Sequence, residues 1–389
     1  MQVILGQLLS KGFTIIMKIE SYEIGSVHEV TITGYGSGGE GVGRLEDGKV
    51  CFVRGGARGD VLEVRLTNQQ ARISRGELLR IITPSKHRIE PDCPVYPICG
   101  GCDFRHIAYE EELGIKLKRV NDAFERIGGL SGHVDEILAT GKIDGYRNKA
   151  VLHCNGKSWG FYAAGSHDVV PITRCALLKG DLNYALNGLN ADGEKGEITL
   201  RSGRNGMTPP IEEEHDGLVF RISGFFQVNS EAALLLFNKA REYAAMSKNE
   251  TLVDLYCGVG SLTIFVGRDA GRAIGVEINH SSVRAARDNA VRNGFSHIEF
   301  IDADAAKWNS SEIKADCVIV DPPRSGLSKS ALKKLKELSP ERIVYVSCDP
   351  ATLARDIRLL EDYSPAKACA VDMFPRTANI ESCCLLVKG

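Results

Sequence analysis

Val253-Asp-Leu-Tyr-Cys-Gly-Val-Gly-Ser-Leu-Thr263 is the stretch on which the fold turns. Its apolar start reads as a buried strand, its glycines as a tight turn and its last residues as the entry to a helix, the repeating unit of an open α/β sheet. Gly258 and Gly260 allow a backbone to approach a ligand closely. The third glycine of a phosphate-binding G-x-G-x-x-G is absent, with Thr263 in its position, which argues against a pyrophosphate. Glu277 follows Asp254 by 23 residues, at the end of the next apolar run, where a carboxylate can accept both hydroxyls of a ribose. Together these point to a nucleoside ligand.

Toward the carboxyl end, strand-like runs at 251–256, 273–278, 298–302, 317–321 and 343–347 alternate with helical stretches, which predicts a doubly wound parallel sheet. Runs at 369–374 and 383–387 have no long helix between them and predict an antiparallel hairpin at one sheet edge. Asp304 and Asp321 extend Asp254 and Glu277 into a row of acids at the carboxyl ends of strands, the crevice where open sheets bind ligands. Tyr345-Val-Ser-Cys-Asp-Pro-Ala-Thr-Leu-Ala-Arg-Asp356 puts Cys348 at the end of the fifth strand, facing the same crevice. A strand-end cysteine alone is most often packing; beside a ligand crevice it becomes a candidate nucleophile.

Toward the amino end, short alternating runs from 29 to 82, punctuated by glycines and an Asp47-Gly48 turn, predict a small five-stranded barrel of the oligonucleotide-binding type. Five Arg or Lys against one Glu between Arg72 and Arg88 are either a solvated strand edge or a phosphate-contacting face. The stretch 109–128 has helical spacing, and 181–225 is polar, glycine-rich and reads as irregular. The first 16 residues fit poorly with the Lys-Ile-Glu opening after Met17 and read as a start-codon artefact or disordered leader. The division expected is a barrel over 17–85, a central subdomain over 86–225 and a catalytic domain over 226–389.

The chain has 389 residues, 43% apolar, with 48 basic against 50 acidic residues, enough to bury a full core. The balance excludes a wholesale basic nucleic-acid binder, so any grip on RNA is local. No stretch is long and apolar enough for a membrane helix, and the reading is cytoplasmic, with no membrane and no obligate protein partner. Twelve cysteines in such a chain point to metal or catalysis rather than disulfides. Cys51, Cys317, Cys383 and Cys384 lie in apolar strand patterns and read as packing. Cys93, Cys99 and Cys102 cluster, and Cys175 follows in Pro171-Ile-Thr-Arg-Cys175. Four thiolates suit a structural zinc ion or an iron–sulfur cluster.

The acidic row resembles that of Rossmann-like S-adenosylmethionine-dependent methyltransferases. Asp321-Pro-Pro-Arg-Ser-Gly326 has Arg324 where amino-group methyltransferases carry an aromatic residue. With Cys348 and Phe374-Pro-Arg-Thr-Ala-Asn-Ile-Glu381, the motifs resemble the TrmA/RumA family of RNA 5-methyluridine methyltransferases, from about residue 17 to the end. The resemblance implies Cys348 as nucleophile and Glu381 as base. It implies Gln227 of Phe225-Phe-Gln-Val-Asn229, Tyr256, Ser261, Glu277, Asp304 and Asp321 as S-adenosylmethionine ligands. Tyr146-Arg-Asn-Lys149 matches a basic family motif, and Cys93, Cys99, Cys102 and Cys175 match a [4Fe-4S] set of structural role. The family often has a histidine two residues before the base; here it is Asn379. The barrel resembles a TRAM domain, which implies structured RNA, 23S ribosomal RNA in the first instance. The T-loop of tRNA is the nearer rival, and a non-catalytic RNA-binding or cluster-sensing protein or a cytosine carbon 5 methyltransferase the more distant ones.

Overall fold

The computed structural model describes residues 22–130, 134, 136–193 and 195–389. The expected leader at 1–16 lies outside the described residues. The chain divides into two compact units, one closing at His87 and the other made of 37–39 and 88–389.

In the first unit, β1 (Val27–Tyr35), β2 (Gly41–Arg44), β3 (Val50–Val53), β4 (Val61–Gln69) and β5 (Ile73–Thr83) close a barrel in the order β1-β2-β3-β5-β4. Alternate residues point inward, so Val30, Ile32, Cys51, Val53, Leu62, Val64 and Leu66 form its core. Closure removes the open edges that short strands would otherwise expose.

The second unit begins with a cysteine-bearing loop and α1 (Tyr109–Ala123), which runs on into a π-helical turn over Phe124–Gly128. A two-residue strand, β6 (Ile137–Leu138), follows. Next come β7 (Lys149–Asn155), β8 (Trp159–Tyr162), β9 (Val169–Pro171), α2 (Gly180–Asn187) and β10 (Lys195–Arg201), the strands pairing in the order β10-β7-β8-β9. A hairpin of β11 (Glu212–His215) and β12 (Leu218–Arg221) leads into α3 (Ser230–Ala244). The region expected to be irregular over 181–225 is therefore a helix, a long strand and a hairpin. Its polarity misled because β10 is exposed on most of its length and pairs on one side only, with β7.

The remaining elements are β13 (Thr251–Leu255), α4 (Ser261–Gly267), β14 (Arg272–Glu277), α5 (His280–Arg292), β15 (Ile298–Asp302), β16 (Cys317–Val320), α6 (Lys329–Leu338), β17 (Arg342–Ser347), α7 (Pro350–Leu359), β18 (Tyr363–Val371) and β19 (Glu381–Lys388). They form a sheet in the order β15-β14-β13-β16-β17-β19-β18-β6. β13 to β17 are parallel, and β19 and β18 are antiparallel additions. Strands such as Cys317–Val320 are buried throughout because helices cover both faces. The late hairpin is not the sheet edge: β6 pairs beside β18, with the Ala370 and Asp372 amides donating to Glu136 and Leu138 carbonyls at 2.9 and 2.8 Å. That cover satisfies main-chain groups an edge would leave open, and a two-residue strand leaves no periodicity to read.

Candidate functional site

The glycine turn after β13 is built by steric need. Tyr256, at φ 74°, and Cys257 both donate their amides to the Val276 carbonyl, at 3.0 and 3.2 Å, which holds the turn against β14. Gly260, at φ 79°, caps α4, and a Cβ there would stand 2.7 Å from the Phe300 ring. At Gly258 the corresponding space is open, so a ligand can reach the backbone. The Gly258 amide donates to Glu277 Oε2 at 3.1 Å and the Asn279 amide to Oε1 at 2.8 Å, fixing that carboxylate at the rim beside exposed Ile278.

Asp254 is buried at the foot of the turn and accepts the Thr263 hydroxyl at 2.5 Å. Burial pushes its carboxyl up to about 8, the Asp321 and Glu277 charges add to this, and the Thr263 hydroxyl opposes it. Thr263, which replaces the missing glycine, thus serves the acidic row. Ser261 opens α4. Asp304 lies two residues beyond β15 and accepts the Ala306 amide at 2.9 Å, so it also shapes its own loop. Tyr256 senses both Asp304 and Asp356; burial raises its hydroxyl and those charges raise it further.

Cys348, Glu381, Asp321 and Arg324 meet beside this turn. The register pairs Ser347 with Ser382, so Cys348, one residue past β17, and Glu381, the first of β19, stand at the same end of adjacent strands. Cys348 is half-buried; burial raises its thiol, as do the Glu381 and Asp321 charges, while Arg324 lowers it. Glu381 is 5% exposed, and its carboxyl lies well above the ordinary range, through burial first and Asp321 second, with Arg324 again opposing. Burial holds Asp321 up at about 7. The group comprises a thiol, a buried carboxyl of raised proton affinity and one guanidinium that favours the charged form of both.

Two clamps hold these groups, and neither was read from the sequence. Asp356 on α7 is fully buried and accepts the Leu327 amide at 2.7 Å and the Tyr345 hydroxyl at 2.7 Å. Arg355 bridges Asp356 to the Ser325 carbonyl at 2.9 Å. Together they grip the loop that carries Asp321 and Arg324. The second clamp holds the segment before Glu381. Lys116 of α1, 1% exposed, donates to Glu112 at 2.7 Å, Asp372 at 2.6 Å and the Phe374 carbonyl at 3.1 Å. Arg376, at φ 69°, gives its amide to Glu112, and its carbonyl accepts the Asp103 and Phe104 amides at 2.9 and 3.1 Å. Asp103 returns a carboxylate oxygen to the Ala378 amide at 2.9 Å. A signal existed for one of them: Asp356 sits on a helical stripe otherwise apolar, with Leu353, Ile357 and Leu360, and a charge there is buried only if it is partnered.

Gln227 is buried in the segment between β12 and α3, and its carbonyl accepts Asn148 Nδ2 at 3.1 Å. Asn148 also reaches Glu213 and the Ser230 hydroxyl, and Tyr146 donates its hydroxyl to the Pro375 carbonyl at 2.9 Å. The basic motif thus ties the Gln227 segment and the Glu381 segment together. Nearby, a Cβ on Gly224 would lie 3.5 Å from Val259, so this segment borders the glycine turn.

Of the four clustered cysteines, Cys99, Cys102 and Cys175 sense one another's charge, and the Arg105 guanidinium lies against Cys102. Burial pushes Cys102 up to about 12. The Gly101 amide donates to Cys99 Sγ at 3.4 Å. Cys93 is half-buried in the same loop. Among the described residues, no group of three or more His, Cys, Asp or Glu side chains is gathered tightly enough to hold a metal ion. Cys51, Cys317, Cys383 and Cys384 are buried in strands, as their patterns implied.

A tRNA (uracil-5-)-methyltransferase family model matches residues 215–389, and a TRAM domain model matches 22–79. An uncharacterized RNA methyltransferase of Clostridium tetani is 32% identical, covering 93% of this chain and 96% of its own. One from Thermosynechococcus vestitus is 32% identical, covering 95% and 99%. Among solved structures, the Pyrococcus abyssi tRNA (uracil-54, C5)-methyltransferase in complex with S-adenosyl-L-homocysteine superposes with a TM-score of 0.75 at 26% identity, over 92% of this chain and all of that one.

Proposed function

Since this chain belongs to the RNA uracil-5-methyltransferase family, S-adenosylmethionine-dependent enzymes, and carries a TRAM domain, we propose that it converts a uridine of 23S ribosomal RNA to 5-methyluridine through a covalent bond to Cys348. The observation that carries this reading is the meeting of Cys348, Glu381, Asp321 and Arg324 at one end of the sheet, beside the glycine turn.

Carbon 5 of uracil is too weak a nucleophile to attack a sulfonium methyl group. The Cys348 thiolate adds to carbon 6, and the electron pair of the ring double bond moves to make carbon 5 enolate-like. S-adenosylmethionine supplies the methyl group. Glu381 then takes the carbon 5 proton, the double bond re-forms and the Cys348 sulfur leaves. A carboxylate of raised proton affinity suits that step. Arg324 favours the thiolate needed for the first. The open face at Gly258 and the fixed Glu277 carboxylate fit an adenosine-bearing ligand, with Tyr256, Ser261, Asp304, Asp321 and Gln227 as its further contacts. The base must leave its stack to reach the thiol.

Cys93, Cys99, Cys102 and Cys175 would hold a [4Fe-4S] cluster that ties the central subdomain, 86–225, together. Thiols on separate irons of a cube stand farther apart than those around one ion. What supports a shared ligand set is that Cys99, Cys102 and Cys175 lie within electrostatic reach of one another.

One observation favours the T-loop of tRNA as a second reading: the Pyrococcus abyssi enzyme is a tRNA methyltransferase, and covering 92% of this chain requires its barrel residues as well. The test is incubation with unmodified 23S and tRNA transcripts and methyl-labelled S-adenosylmethionine, with the label mapped. Label as 5-methyluridine in 23S RNA is expected; label only in tRNA selects the second reading, and none in either removes both. Cys348→Ala should abolish turnover. Glu381→Gln should lower it by about 10²–10⁴-fold and accumulate a methylated protein–RNA adduct, visible by denaturing electrophoresis.

A further inference from the structure

A cavity of about 680 Å³, a size common to small-ligand sites, is lined by residues of the central region alone, none of them from the group around Cys348. Trp159 of β8 lines it with Ile172 and Leu189. The indole is fixed: it packs against the small core beneath β7 and α2, and its Nε1–H donates to the Asn190 carbonyl at 2.9 Å. Lys157 and Arg174 line the same cavity as exposed side chains, and neither has an ion-pair partner among the described residues. The acids of the lining, Asp92 and Asp144, are both taken by buried Arg105, at 2.6 and 2.5 Å. Arg105, Lys157 and Arg174 against Asp92 and Asp144 leave one net positive charge, carried by exposed cations beside an oriented aromatic wall. Such a wall with cations at its rim matches a flat base joined to a phosphate.

The cavity is also connected to the reaction site by one loop. Asp92 to Val95 line it, and Asp103 and Phe104 of the same loop bond the Arg376–Ala378 backbone just before Glu381. Chain continuity thus ties one wall of the cavity to the backbone segment that carries Glu381.

We propose that this cavity receives an unpaired nucleotide flanking the target in the RNA substrate, its base stacked on Trp159 and its phosphate against Lys157 and Arg174. This rests on the reading of an RNA substrate given above. The chain has two tryptophans, and the other, Trp308, is buried. In a Trp308→Phe background, Trp159 alone reports by fluorescence. Titration of the full chain with the methylated transcript should quench it, saturating at the same concentration as RNA binding. The double variant Lys157→Glu/Arg174→Glu should abolish the quenching. It should also weaken RNA binding more than about tenfold at low salt and reduce the salt slope by about two, while S-adenosylmethionine affinity is unchanged. Trp159→Phe, which keeps a stacking ring and the core, should retain most of the RNA affinity.

Covalent adduct at Cys348 is followed in the same samples with 5-fluorouridine-substituted RNA, whose carbon 5 fluorine cannot leave as a proton does. Adduct with unchanged Trp159 emission, or with unchanged affinity in the charge-reversed protein, overturns the flanking-nucleotide site alone. Absence of both adduct and quenching overturns it together with the methylation reading.

Discussion

At the residue scale, the site depends on backbone conformations and charges that one substitution can alter. Gly260 is left-handed, and any side chain there meets the Phe300 ring. Gly260→Ala should cost about 1–2 kcal/mol for the backbone alone, lower Tm by more than about 2 °C and weaken S-adenosylmethionine binding, measured by calorimetry. Arg324 lowers a Cys348 thiol that burial, Glu381 and Asp321 all raise. In the proposed reaction the deprotonated thiol is the reactive form, so activity should rise with pH through that titration. Arg324→Gln removes the opposing charge and should move the rising limb of the kcat profile to higher pH; a limb that stays fixed or moves down would show that Arg324 does not act on the thiol.

At the element scale, the loop between β16 and α6 is held by α7 rather than by its own sequence. Asp356 gives one oxygen to the Leu327 amide and the Tyr345 hydroxyl, and Gly326 has no room for a Cβ because Arg355 and Asp356 lie 2.5 Å from where it would stand. Asp356→Ala leaves a buried amide and hydroxyl unpartnered and should cost about 1–3 kcal/mol for each. Released from its clamp, the loop should lose activity further than stability does. Urea unfolding compared with single-turnover rates measures the two separately, and equal losses would reduce Asp356 to a fold residue.

At the scale of the whole molecule, the segment before Glu381 is bound to α1 more than 250 residues earlier in the chain, through Lys116, Glu112 and Asp372. Burial already raises the Glu112 carboxyl against the pull of Lys116. Lys116→Met leaves the buried Glu112 and Asp372 carboxyls with Arg376, 3.6 Å from Glu112, as their remaining cation and should destabilise the protein by about 3–5 kcal/mol, read as a lower urea midpoint. Partial rescue by the added Asp372→Asn would place the cost in the unpaired charge rather than in lost packing.

How far such features could be read depends on their range. The strand–turn–helix at Val253–Thr263, the five parallel strands, the five-stranded barrel and the helix from Tyr109 are local patterns: periodicity and glycine spacing act between near neighbours and survive in one dimension. Cys348 was legible because it ends such a strand, and Glu381 because it begins one. The two-residue strand that covers β18 and the strands within 181–225 were not legible, since their order comes from partners distant in the chain. The sequence by itself thus determined which elements form and which residue types stand at strand ends. Only the tertiary structure decided that Asp356 and the Lys116 network hold the loop of Arg324 and the segment before Glu381, that Thr263 serves Asp254, and that Trp159 shares one cavity with two cations that have no ion-pair partner among the described residues, because burial and charge pairing are properties of three-dimensional neighbours rather than of spacing along a chain.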